Sequence, residues 1–220
     1  MRPLVLLLLG AGAAFCQPVS FGVKLGVPLT DFIDAVKTSG NPNSFLNYAT
    51  HTNRFIVGVG GEIKLPLHLG IELDALYRHV NYTSTQQTVA GVTTTVINAD
   101  TRAHAFEFPL LLKYRFGGKF IRPYIAGGVA WDTLQGLRQD VRTSILNATG
   151  STNTSTTTPP QLRNKTSRGF VSGAGLDIKI LLIHIKPEIR YTRWGAEHFF
   201  DSSLLHTNKN QGEFILGIQF

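Results

Sequence analysis

Residues 198–206 bring His198, Asp201, Ser202, Ser203 and His206 into one short stretch. A serine hydroxyl beside an imidazole is the raw material of nucleophilic catalysis, provided that a third group orients the base. The same residue types also make an ordinary polar loop, which is the plainer use of them. A second set of chemistry-bearing residues recurs at alternate positions: Glu62, Lys64, Glu72, Asp74, Arg78, Glu107, Lys113, Arg115, Asp177, Lys179, Lys186, Glu188 and Arg190. Its carboxylates could form an acid/base couple or hold a metal, but the interleaved Lys and Arg favour mutual ion pairing. No Cys/His cluster has metal-ligand spacing, no glycine-rich phosphate loop opens a helix, and no nucleic-acid motif occurs. The expectation is therefore no cofactor, no catalytic or metal residue, and no nucleic-acid partner.

The alternation that places these charges also predicts the elements that carry them. Phe21, Val23, Leu25, Val27 and Leu29 oppose Ser20, Gly22, Lys24 and Gly26, the period-two pattern of a strand. Seven further stretches repeat it. They are residues 54–65, 69–78, 106–116, 121–132, 168–179, 183–191 and 213–220. In every stretch one face carries aliphatic and aromatic side chains, and the other carries glycines and the charges above. The links between strands alternate in length. Three are a few residues each, whereas the other four cover roughly 30–53, 81–104, 133–167 and 195–210, against a usual connection of about 4 to 6 residues. All long links therefore project from one end.

A soluble eight-stranded barrel turns its apolar face inward, because its lumen is just filled by side chains. Here the inward set would be charged, so the branched hydrophobes must face lipid, and the sheet must close to pair every backbone group. Aromatics fall where strands should cross the interfaces. Phe21, Phe116 and Phe220 lie at the short-turn end, and Tyr77, Trp131, Phe170 and Tyr191 towards the other. An overall apolar fraction of 43 % is compatible with this, since lipid-facing and interior residues average out.

The N-terminus reads as a secretory signal peptide over residues 1–16: Arg2, an apolar run from Leu4 to Leu9, then small residues. Residues 17–220 would form the exported barrel. Cys16 is the single cysteine, so removing it with the signal leaves no thiol for a disulfide. The bulky Phe15 before it disfavours an acylated N-terminal cysteine.

FEFPLLLKYRF at 106–116, RPYIAGGV at 122–129, GAGLDI at 173–178 and EIRY at 188–191 resemble the fourth to seventh strands of small bacterial outer-membrane β-barrels, the OmpA/OmpX-like family with the "outer membrane protein beta-barrel" domain. The resemblance spans the chain after the signal. It implies an all-β, eight-stranded antiparallel up-and-down transmembrane barrel in the bacterial outer membrane, with termini in the periplasm and long extracellular loops. It also implies that Phe214, Leu216, Gly217, Ile218 and Phe220 form the terminal address read by the outer-membrane insertion machinery. Family members act as structural tethers, adhesins, small pores or lipid-modifying enzymes. The expected role is structural or surface-interacting and non-enzymatic. The alternatives are a barrel enzyme of the lipid A deacylase or acyltransferase type, and a narrow porin-like channel. The His-x-Ser-Asn order of the deacylases does not occur, because His206 is followed by Thr207 and Asn208. On a cell surface the net charge of +7, with Arg138, Arg142, Arg163, Lys165 and Arg168 in the long links, points to outer-membrane lipids and lipopolysaccharide phosphates as partners. The Ser/Thr-rich tract at 151–160 is expected to be mobile. The extracellular ligand is not legible. The sequons at Asn81, Asn147, Asn153 and Asn164 read as chance in Thr-rich links.

Overall fold

The computed structural model describes residues 19–35, 39–41, 43–50, 55–146, 150–201 and 205–220. The expected signal segment, Asn147, Ser202 and Ser203 lie outside the described residues. The described chain has no helix. Its strands are β1 (Val19–Pro28), β2 (Ile33–Ala35), β3 (Ser39–Asn41), β4 (Ser44–Thr50), β5 (Ile56–Lys64), β6 (Leu69–Ala90), β7 (Thr93–Arg115), β8 (Ile121–Leu146), β9 (Ser151–Thr157), β10 (Thr166–Ile180), β11 (Ile183–Trp194), β12 (Phe200–Asp201), β13 (Leu205–Thr207) and β14 (Asn210–Gln219).

Eight of these form the barrel wall in the order β1, β5, β6, β7, β8, β10, β11, β14. Every neighbouring pair is antiparallel. The wall closes where β14 pairs back onto β1, from Gly22↔Gln219 to Pro28↔Glu213. The alternation sorts side chains as the charge argument requires. Phe21, Val59, Leu73, Leu112, Ile125 and Ile189 are exposed on the outside, while Glu62, Glu72, Asp74, Lys113, Asp177 and Arg190 have no exposure at all.

The short connections stay minimal. Residues 65–68 join β5 to β6 with Leu67 and His68 at φ 61° and 65°, and residues 181–182 join β10 to β11 with Leu181 at φ 54°. Left-handed backbone at such residues costs about 1–2 kcal/mol each. The exposed Leu67, Leu181 and Leu182 extend the outward apolar surface to the last residues of the barrel.

The long connections differ from the expectation. A strand needs about 9–11 residues to cross a bilayer, whereas β6, β7 and β8 run for 22, 23 and 26 residues. The 81–104 link is thus mostly two strands continuing to a two-residue turn at Gly91–Val92, where Gly91 takes φ 58°. The tract expected to be mobile instead supplies β9, which pairs with β8 from Gln139↔Thr157 to Ile145↔Ser151. β4 covers the upper part of β6, and β3 pairs with β4. The result is a six-stranded sheet, β3-β4-β6-β7-β8-β9, standing on one side of the barrel mouth. A bulge near Gly136, at φ 60°, shifts the β7–β8 register between Arg102 and His104. It exchanges the two faces of β8, so Leu134 and Gln139 both point inward.

These two faces predict opposite mutational costs. Leu73→Arg, which places a charge in the lipid-facing band, should destabilise the barrel by about 2–4 kcal/mol near the midplane. Lys64→Gln should cost far less, because Lys64 is half-buried and has no ion-pair partner among the described residues. Urea unfolding of the refolded variants in detergent checks this, and equal losses would reverse the assignment of the faces.

Candidate functional site: a filled lumen and its cap

A barrel of eight strands leaves room for side chains and little else. Period-two alternation aims the charged residues of all eight strands into that space, and they meet in layers. Nearest the short turns, Asp177 accepts from Arg122 at 3.3 Å, pairs with the Arg115 guanidinium at 3.3 Å, and lies 2.6 Å from His184 Nδ1. Glu62 pairs with Arg115 and Lys186. In the middle layer Glu72 takes Lys24 and Lys113, each at 2.8 Å. Arg190 bridges Asp74 at 3.0 Å and Glu188 at 2.9 Å. Glu188 also takes Lys113 at 3.0 Å and the Tyr124 hydroxyl at 2.8 Å. Higher up, Arg78 donates to Glu107 and Glu213, each at 3.1 Å.

Glycines make the space for this network. A Cβ at Gly60 would overlap the Asp74 carboxylate, and one at Gly175 would lie 2.6 Å from the Tyr124 ring. Of the charged residues singled out in the sequence, Glu62, Glu72, Asp74, Arg78, Glu107, Lys113, Arg115, Asp177, Lys186, Glu188 and Arg190 lie in the lumen. Lys64 sits at its edge without an ion-pair partner among the described residues, and Lys179 is exposed at the turn end. The same alternation also places Lys24, Asp132 and Glu213 among the buried charges.

Above Arg78 the interior changes character. The Arg78 guanidinium lies 4.8 Å from the Phe32 ring centroid. Phe32 belongs to a buried apolar cluster with Ile33, Val80, Leu134, Phe199 and Leu205. Phe32, Ile33, Phe199 and Leu205 come from the first and last long links, which fold inward around the small β12-β13-β2 sheet, while Val80 and Leu134 come from β6 and β8 of the wall. The Phe32 carbonyl accepts from Asn208 at 2.9 Å, and Phe199 accepts from Thr207 at 3.1 Å. Tyr48 and Tyr82 are buried in the same cluster, with the Tyr82 ring edge-on to Phe199 at 5.3 Å. Burial pushes the Tyr82 phenol up to about 12, and burial with the neighbouring Asp201 carboxylate pushes Tyr48 well above the ordinary tyrosine range. Both phenols therefore remain protonated donors at any physiological pH. Sequence reasoning missed this cap, because its link residues are short apolar pairs such as Phe32-Ile33 and Phe199-Phe200 set among polar residues, with no periodicity.

The residues with catalytic potential are divided among different tasks. His198 is buried, with Nε2 2.7 Å from Asp132 and Nδ1 2.7 Å from the Asn164 carbonyl, so both ring nitrogens are engaged. Asp201 accepts from the Tyr48 hydroxyl. His206 lies against the Phe200 ring at 6.4 Å. Among the described residues these groups tie the cap together, and none presents a base to a nucleophile.

At the closing seam, Phe214 and Phe220 face outward, and the Phe220 amide donates to the Phe21 carbonyl at 2.9 Å. Leu216 and Ile218 are half-buried on the same outer face. Gly217 faces the lumen, and a Cβ there would lie 3.4 Å from Lys24 Cδ and 3.5 Å from Lys186 Cβ.

Removing one member of the ion network should expose its strength. Arg190→Met leaves Asp74 and Glu188 without their shared cation, and breaking a buried pair from one side costs about 3–5 kcal/mol. The unboiled variant should lose its folded gel mobility at a lower temperature than the unaltered protein.

The sequence model of the "Outer membrane protein beta-barrel domain" family matches residues 15–200. Among solved structures, the N-terminal β-barrel domain of Pseudomonas aeruginosa OprF is 13 % identical over 93 % of this chain and 98 % of its own, with a TM-score of 0.38. Ail, the attachment invasion locus protein of Yersinia pestis, solved with the heparin analogue sucrose octasulfate, is 11 % identical over 92 % of this chain and 96 % of its own, at 0.38. Neisserial surface protein A is 12 % identical over 91 % of this chain and 95 % of its own, at 0.41. No curated protein sequence matches the chain. With the family model covering most of its length, the chain belongs to the outer membrane protein beta-barrel domain family, the integral β-barrels of the bacterial outer membrane.

Proposed function

We propose that the chain is a sealed, non-enzymatic barrel that anchors a rigid β-sheet outside the cell, in a structural or surface-interaction role. The observation that carries this reading is the filled interior. Every fully buried carboxylate of the described lumen meets a cation or an imidazole, and the apolar cap closes the mouth above them. A lumen so filled speaks against the narrow-pore alternative. The engagement of both His198 nitrogens speaks against the lipid-modifying enzyme. The unequal strand heights support an orientation with the short turns and both termini in the periplasm and the tall sheet outside. In this reading residues 1–16 are removed as a signal, and the terminal strand addresses the chain to the insertion machinery.

Reconstituted in planar bilayers, the protein should show no steady ion conductance, and a stable ohmic channel would sink the sealed-barrel reading. Val92, at the tip of the β6–β7 hairpin, is 96 % exposed. A Val92→Cys variant should react with a membrane-impermeant maleimide on intact cells. Labelling that requires a permeabilised outer membrane would invert the orientation. Deleting Phe220 removes apolar contact worth only about 1.5–3 kcal/mol, so the variant should still refold from urea into detergent while its outer-membrane yield in cells falls sharply. Normal yield would strip the terminal strand of its role as an address.

A further inference from the structure

The basic residues of the long links do not form one patch. On the protruding sheet, Arg102 donates to Asp100, and Arg138 lies 3.8 Å from Asp140. On the opposite side of the mouth, β10 and β11 carry Arg168 and Arg193, both exposed. Neither forms an ion pair among the described residues, and Arg193 meets only Asn210, at 3.1 Å.

The depth of these two arginines follows from the strand geometry. A lipid-facing band about 25 Å tall, crossed at a tilt of about 40°, takes up roughly ten residues of strand. Counted from Ile121, Ile180 and Ile183 at the short-turn end, that length ends at Trp131 on β8, Phe170 on β10 and Arg193 on β11. The pairing register confirms the level, with Phe170 opposite Arg193 and Arg168 opposite Trp131. Both guanidinium groups therefore stand where hydrocarbon gives way to headgroups.

Between them lies an outward cleft of about 490 Å³, walled by Trp131, Phe170 and the two arginines and floored by Gly169 and Gly195. The Gly195 amide donates to the Arg168 carbonyl at 2.8 Å, which makes Arg168 and Arg193 diagonal neighbours across β10 and β11. Such neighbours lie about 7–8 Å apart, a separation across which two guanidinium forks can close on one phosphate. Below the cleft, Ile125 and Ile189 continue as lipid-facing apolar wall.

We propose that Arg168, Arg193 and the Trp131–Phe170 cleft form a binding site for a phosphorylated glycolipid of the outer leaflet, with its phosphate between the guanidinium groups and its acyl chains on the wall below. This rests on the proposed orientation, with the tall end outside. The arginines supply charge complementarity, the missing side chain at Gly195 leaves room for a sugar, and the apolar wall below suits acyl chains.

The test uses the full protein refolded in detergent micelles and titrated with bis-phosphorylated lipid A, with bound lipid counted by native mass spectrometry. Lipid A should bind, and its fully dephosphorylated form, phosphatidylglycerol and inorganic phosphate should bind at least tenfold more weakly. Arg168→Gln and Arg193→Gln should each weaken lipid A binding about tenfold, and the Arg102→Gln control should leave it unchanged. Folded gel mobility shows that each variant retains its barrel. Equal binding of the dephosphorylated lipid, unchanged affinity in the double variant, or equal competition by inorganic phosphate would each overturn the proposal. Preference for phosphatidylglycerol would overturn it as well. The maleimide experiment on cells separately tests the orientation, so failure of one is distinguishable from failure of the other.

Discussion

An unpaired amide in hydrocarbon costs several kcal/mol, and no water is present to relieve it. Everything in the wall follows from this. The sheet must close, and with eight strands closure leaves a lumen only as wide as its side chains. Because the outer face belongs to lipid, the inner face is the one place where the polar side chains of the alternating pattern can go. They are tolerated there because opposite charges arrive at the same depth from different strands, such as Glu72 from β6 with Lys24 from β1 and Lys113 from β7.

The network also explains where the glycines fall and why the cap is apolar. Long cationic stems need space, and Gly60 and Gly175 provide it beside Asp74 and Tyr124. Higher in the barrel the cations thin out, and Arg78 alone serves two carboxylates while its guanidinium rests against Phe32. That contact is the handover between two kinds of interior. Below it, stability rests on charge pairing in a dry space. Above it, where the mouth opens to water, burial of Phe32, Phe199 and Leu205 drives assembly in the ordinary hydrophobic way.

The barrel was legible in the sequence because a face immersed in lipid cannot tolerate exceptions. The alternation of Phe106, Phe108, Leu110, Leu112 and Tyr114 is therefore complete. Above the membrane that constraint lapses. Thr83, Thr85, Thr94 and Thr95 lie in strands whose outer face meets water, so alternation fades and the stretch reads as a loop although it is fully paired. β9 is Ser, Thr and Asn throughout and becomes a strand only because β8 offers it an edge. The cap was harder still. Phe32 and Phe199 are far apart in sequence and meet only after closure, and His198 gives no sign beforehand that its partner is Asp132.

The unequal heights of the strands have a mechanical consequence. β6, β7 and β8 pass from the membrane to the top of the sheet as single strands, with one bulge and no hinge. Above Phe106, β7 alone continues for roughly 40 Å of chain length. A pull on the Gly91–Val92 tip runs along these strands and loads their ladder bonds in parallel, as shear, instead of peeling them one at a time. The load arrives in a wall that cannot open without breaking a whole ladder of strand hydrogen bonds, because β14 pairs back onto β1. Whatever the sheet touches is thereby coupled to the membrane by a stiff lever, with no flexible tether between them.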